Sequence, residues 1–250
     1  MPTIAYQLYC SRNFPPLEKT FSMLRDAGYD AVEGYSAMYG DVAATRTALD
    51  EVGLSMPSAH FGIDLIEGDL DAALGIARTL GVKKVIVPYL MPDERPTGLA
   101  EWTAFATRLA ELGKPVRDAG FAFGWHNHDF ELADIGGVTP LDLIAQAGVD
   151  LELDLGWVRA TGQAPLDWLV KYGEQTTCVH IKDVAPDGTC ADEDGWADVG
   201  YGTIDWSPIK TELETHGIDH WVVEHDNPSD DARFATRSLA TLKSWLGDAA

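Results

Sequence analysis

One junction recurs along the chain and restricts its fold more than any other feature. It is an amphipathic stretch, then a glycine, then a short β-rich run. The junction reads DAG-YDAVE at Gly28, EVG-LSMPSAH at Gly53, TLG-VKKVIV at Gly81 and DAG-FAFGWH at Gly120. It returns as QAG-VDLELD at Gly148, KYG-EQTTCVH at Gly173 and THG-IDHWVVE at Gly217. A glycine just past a helix end takes the left-handed conformation that closes the last turn. The β-branched or apolar run that follows is strand-length. With an opening strand at Thr3–Leu8, these junctions predict eight strands, each followed by a helical stretch.

The helical stretches support this. Leu17–Ala27 carries Leu17, Phe21, Leu24 and Ala27 at helical spacing, after Pro15 and Pro16, which a first turn tolerates. Leu70–Leu80, Trp102–Ala119 and Asp230–Leu246 read as further helices. Repeated strand–helix units imply parallel strands joined by right-handed crossovers. Eight of them in 250 residues predict an α/β fold: a single-domain (β/α)8 TIM barrel spanning 1–250. An open doubly wound sheet would show a Gly-rich phosphate loop after its first strand, and YCSRNFPP has none. The longest irregular stretch is Ala185–Thr203, rich in Asp and Gly, and a loop of that length is commonly functional.

Charge narrows the partners. Lys plus Arg is 18 and Asp plus Glu is 40, a formal net charge of −22. That balance repels nucleic acid and anionic membranes and suits a cation-binding site. Cys10, Cys178 and Cys190 lack CxxC spacing and read as ordinary thiols of a reducing compartment. The start MPTIAYQLYC lacks a signal-peptide pattern, and no apolar stretch approaches ~18 residues. A cytoplasmic protein without a membrane span is the expectation.

In such a barrel the site lies at the C-terminal strand ends. Strand 2 ends at Glu33, strand 3 at His60, and strand 5 at His126 and His128. Strand 6 ends at Asp154, strand 7 at His180 and Lys182, and strand 8 at Glu224 and Asp226. Several strands delivering imidazole and carboxylate to one rim form a metal-site pattern. It suits Mn²⁺ first, then Mg²⁺, Co²⁺ or Zn²⁺. Taken singly, each residue also has a plainer role: Asp183 and Asp226 as caps, Glu152 as a barrel-layer residue or ion-pair partner, Cys178 as core packing. Trp125, Trp157 and Trp196 lie beside rim segments and are candidates to wall a sugar ring.

The stretches WHNHDFEL (125–132), LELDLGW (151–157), VHIKDV (179–184), DVGYGTIDW (198–206) and VVEH (222–225) resemble the sugar phosphate isomerase/epimerase family, the xylose isomerase-like TIM barrels. The resemblance implies a divalent metal held by Glu, Asp, His and Glu from strands 5 to 8. Asp154, His180 and Glu224 match three of these places. Where many relatives carry the strand-5 Glu, this chain has His126, so the fourth ligand is either Glu131, which is favoured, or His126. His128, His126 or Glu224 is then the base, Lys182 the oxyanion partner, and Glu33, His60, Arg12 and Trp157 the substrate contacts.

The resemblance implies proton abstraction next to a carbonyl, through a metal-stabilised enediolate. An isomerase or epimerase of a small, non-phosphorylated keto-sugar or polyol is the first reading. A lyase or dehydratase of a 3-oxo-sugar, glycoside or inosose is the second. A DNA repair nuclease conflicts with the −22 charge. An idle binding barrel conflicts with retention of every candidate ligand. Relatives are often dimers or tetramers, which leaves a homo-oligomer open.

Overall fold

The computed structural model describes residues 1–247. Eight parallel strands close into one barrel: β1 (Thr3–Gln7), β2 (Ala31–Gly34), β3 (Ser55–His60), β4 (Lys84–Val87), β5 (Ala122–His126), β6 (Asp150–Asp154), β7 (Thr176–Ile181) and, after a two-stranded hairpin, β10 (His220–Val223). β1 pairs with β10 to shut the ring. The hairpin, β8 (Asp183–Val184) against β9 (Trp196–Ala197), occupies the long irregular stretch and is antiparallel.

The helices alternate with the strands as the junctions predict. They are α1 (Leu17–Ala27), α2 (Val42–Val52), α3 (Ile63–Gly68), α4 (Leu70–Leu80) and α5 (Leu99–Asp118), then α6 (Pro140–Gln146), α7 (Leu155–Ala160), α8 (Pro165–Tyr172), α9 (Trp206–Thr215) and α10 (Asp231–Leu246). Helix α5 begins three residues before the expected Trp102, because Glu101 accepts hydrogen bonds from the backbone and hydroxyl of Thr97 and steadies an earlier start.

Six of the seven junction glycines take positive φ. Gly173 departs, with φ −55. It is glycine for space: a Cβ there would lie 2.3 Å from Cδ2 of His216. No helix among the described residues is long and apolar enough to cross a membrane.

Period-2 alternation decides what each strand shows to the lumen. In β6, Leu151 and Leu153 join the core under the helices, while Glu152 and Asp154 point inward. The lumen is unusually polar. The Ser58 hydroxyl meets His220 Nε2 across it at 3.3 Å, and Glu33 meets His180 from the far side.

Candidate metal centre and active site

The β6–β7 register sets Asp154 beside His180, and β10 continues into Glu224 next to them. Asp154 also caps α7, its Oδ1 accepting from Trp157 N at 2.7 Å. That leaves Oδ2 free. Asp154 Oδ2 and His180 Nδ1 are buried without a hydrogen-bond partner, and Glu224 Oε2 meets the Lys182 ammonium at 2.9 Å. One donor atom from each residue falls within a 4.8 Å cluster. Unpartnered buried polar atoms are rare and call for an explanation. Two carboxylates and an imidazole fit a divalent cation, with carboxylate oxygens favouring the harder ions.

Asn127, between the two histidines of HNH, was not singled out in the sequence. Its Oδ1 accepts from Asp154 N at 2.9 Å and its Nδ2 donates to Asp154 O at 3.4 Å. The end of β5 is thereby tied to the aspartate. Gly156 has an equally local reason. A Cβ there would lie 2.6 Å from Lys182 Cγ, so only glycine lets α7 start against the end of β7.

Lys182 is fully buried at the edge of this set. Its ammonium pairs with Asp226 Oδ2, lies 2.9 Å from Glu224 Oε2 and 4.0 Å from Asp154 Oδ2. The Trp157 and Trp196 rings flank it at 4.5 and 3.8 Å. Burial opposes its charge, but Asp226, Glu224 and Asp154 outweigh burial and hold it protonated. Burial pushes the Glu224 carboxyl up to about 7, against the pull of Lys182. His128 sits among Tyr89, Phe130 and Trp157, with Nδ1 unpartnered. Burial and then the Lys182 charge push it down to about 3, so its imidazole is neutral.

The structure does not bring Glu131 to the metal set. Its Oε1 accepts from Trp125 Nε1 and its Oε2 from His128 N, each at 2.9 Å. Both oxygens brace their own loop, and burial pushes the carboxyl up to about 8. Trp125 is core, not a sugar wall. The alternative strand-5 residue, His126, does join a cluster of donors, with His60, Glu152 and His180.

Glu33 and His60, expected to touch substrate, are instead engaged with other side chains of the barrel lumen. Glu33 is fully buried and takes hydrogen bonds from Gln7 and His180, and His60 Nε2 lies 2.6 Å from Glu152 Oε1. Burial and the charge of Glu152 oppose ionisation of Glu33, yet His60 and His180 hold its carboxyl below the usual range. Their places at strand ends were visible in the sequence; their partners across the barrel were not. Arg12 pairs with no acid among the described residues: it donates to the Asp226 carbonyl and stacks on Tyr9 at 4.1 Å.

Asp183 is not a helix cap. Its carboxylate gathers N–H donors from Val184, Gly200, Gly202, Ile204 and Trp206. This fixes the DVGYGTIDW segment. Above Lys182 opens a cavity of about 660 Å³, walled by Tyr9, Arg12, Trp157, Trp196, Asp226 and the loop from Val184 to Gly195.

Barrel, ligand rim and mouth define a class of protein, and sequence comparison agrees. The chain belongs to the xylose isomerase-like TIM barrel family, whose profile matches residues 21–245. It is 26% identical to the rhizopine catabolism protein MocC of Rhizobium meliloti, over 93% of this chain and 83% of that one. It is 23% identical to an inosose dehydratase of Clostridium beijerinckii, over 82% and 80% of the two chains. A crystal structure of a sugar phosphate isomerase/epimerase from Parabacteroides distasonis superimposes with TM-score 0.79 at 19% identity, covering 98% of this chain and 94% of that one, a likeness of fold.

Proposed function

We propose that this protein is a divalent-metal-dependent enzyme that removes the proton next to the carbonyl of a cyclic keto-polyol or keto-sugar, and then expels a β-hydroxyl or glycosyl group. The observation that carries the reading is the convergence of three buried ligand atoms on Asp154, His180 and Glu224, the first two without a hydrogen-bond partner and the third facing Lys182, beside a neutral His128. The Clostridium beijerinckii relative named an inosose dehydratase supports elimination. Asp154, His180 and Glu224 would hold the cation, which would supply Lewis acidity to the substrate carbonyl.

The chain's own groups do the rest. The neutral His128 ring accepts the proton as the C–H bond breaks, and the electron pair moves onto the carbonyl oxygen. Lys182, held protonated, stabilises that developing negative charge. The carbonyl then re-forms, the β-carbon–oxygen bond breaks, and His128 returns its proton to the departing oxygen. Its Nδ1, buried without a partner, is free to take the proton and to return it. One group serving both transfers needs no carboxylate at the strand-5 place, where this chain has His126. The acidic mouth, with Asp187, Asp194 and Asp226 and no phosphate cradle, fits an uncharged substrate.

A second reading, isomerisation or epimerisation, is favoured by Glu224. A carboxyl at about 7 could return the proton to another carbon or face. Proton NMR in D₂O, with the metal-loaded enzyme and a panel of inososes, keto-sugars and 3-oxo-glycosides, separates the two. An enone with water or glycosyl loss supports elimination; deuterium beside the carbonyl with a new isomer supports the second reading. Turnover unchanged after metal removal would refute both.

A further inference from the structure

The two nitrogens of His180 have opposite surroundings. Nε2 lies 2.7 Å from Glu33 Oε1, on a residue 147 positions away in the chain. Glu152 Oε1 lies 3.0 Å from the same nitrogen but already meets His60 Nε2 at 2.6 Å. A carboxylate only accepts, so the ring carries a proton on Nε2. Nδ1 is buried without a partner, and Asp154 Oδ2, at 3.6 Å, is too far for a hydrogen bond. A proton on Nδ1 would have nothing to bond, whereas a lone pair there faces the Asp154 side.

Glu33 is itself aimed. Gln7 Oε1 accepts from Tyr9 N at 3.1 Å, which turns the other end of the amide toward Glu33. Gln7 Nε2 then donates to Glu33 Oε1 at 2.8 Å, the oxygen that also takes the His180 N–H. The His180 ring is packed as well, with the His126 and His60 rings at 4.4 and 5.6 Å. Glu33 has no exposure. A carboxylate sealed from water, with imidazoles and an amide around it, is costly to keep. Steering the His180 ring gives that cost a purpose.

We infer that Glu33 is a positioning residue for His180: it holds the Nε2 proton and so presents the Nδ1 lone pair to the cation, while Gln7 fixes the carboxylate in turn. The inference rests on the metal reading of Asp154, His180 and Glu224. Outer partners of this kind orient a ligating ring and raise its basicity. The strand-2 acid therefore acts on the site from across the lumen, through the ring alone.

Zn²⁺ affinity of the full chain, measured by competition with a chromophoric chelator, tests this apart from turnover. Glu33→Ala should weaken it by about 10–100-fold. Glu33→Gln keeps an acceptor oxygen for Nε2 but loses the charge, so its loss should be smaller. Asp142→Ala controls for stability alone. Asp142 lies on α6, outside the ring of strands, and binds Lys171 and Tyr172, so its loss should lower the melting temperature and leave affinity intact. Melts in the presence of chelator confirm folding, and Glu33→Gln carries the test should Glu33→Ala not fold. Unchanged affinity in each folded Glu33 variant, with tight binding abolished in Asp154→Asn, overturns the inference and leaves the metal reading standing. Equal weakening in Asp142→Ala also overturns it, since affinity would then follow stability. Absence of tight Zn²⁺ binding in the unaltered chain overturns the metal reading, and the inference with it.

Discussion

Replacing Glu131 with Ala separates a structural brace from a metal ligand. The carboxyl accepts two buried hydrogen bonds, from Trp125 Nε1 and His128 N. Removing it leaves both donors unsatisfied, at about 1–3 kcal/mol each, or roughly 2–6 kcal/mol in total. The emptied space adds a smaller packing loss. For a chain of this size about 2–4 °C of melting temperature accompanies each kcal/mol. A drop on the order of 5–20 °C is therefore expected, with metal content per folded chain unchanged. Glu131→Gln keeps one acceptor oxygen but turns an N–H toward the other donor, so its drop should be about half as large. Thermal melts paired with elemental analysis after desalting read both quantities. Loss of tightly held metal with little change in melting would refute the brace and restore Glu131 as a ligand.

Lys182→Met strips the counter-charge from Glu224 and Asp226 and should cost about 3–5 kcal/mol, measured by urea unfolding; Lys182→Met with Asp226→Asn should recover part of it. Asp183→Ala releases five N–H donors, so hydrogen exchange should rise across residues 198–206 while the β6 amides stay protected. In metal-free protein, burial works against charge on His60, but Glu33 and Glu152 raise it to about 9. Its contribution is full below the unfolded value of about 6.5 and is lost as pH rises through about 9. Glu131, raised to about 8, acts in the same direction from about pH 4.5 upward. Metal-free stability should thus fall between pH 6.5 and 9, and His60→Gln should flatten the fall; a melting temperature steady or rising over that interval would contradict the assignment.

The barrel was legible because its punctuation is local. A glycine closing a helix and a β-branched run after it act over a few residues, and α1 and α4 begin and end as the sequence predicts. Gly173 shows the limit, since its reason is a histidine 43 residues away in the chain. The upper rim was legible too, as Asp154, His180 and Glu224 follow from strand ends at one depth. The bracing role of Glu131 was not legible, because proximity in sequence reveals an available carboxylate but not that Trp125 and a backbone amide donate to it. The depths of Glu33 and Glu152 depend on barrel stagger, including register shifts within the β2–β3 and β6–β7 pairs. Those shifts arise only when the ring closes.

The five-donor seat around Asp183 also constrains how such a protein can diversify. It welds the DVGYGTIDW segment to the end of the strand that carries His180, so that segment cannot be rebuilt without disturbing the chemistry beside it. The hairpin tip from Pro186 to Gly195 bears no such weld to Asp183, yet it walls the same cavity. New substrate preferences should therefore accumulate at the tip, and libraries aimed at altered specificity belong there.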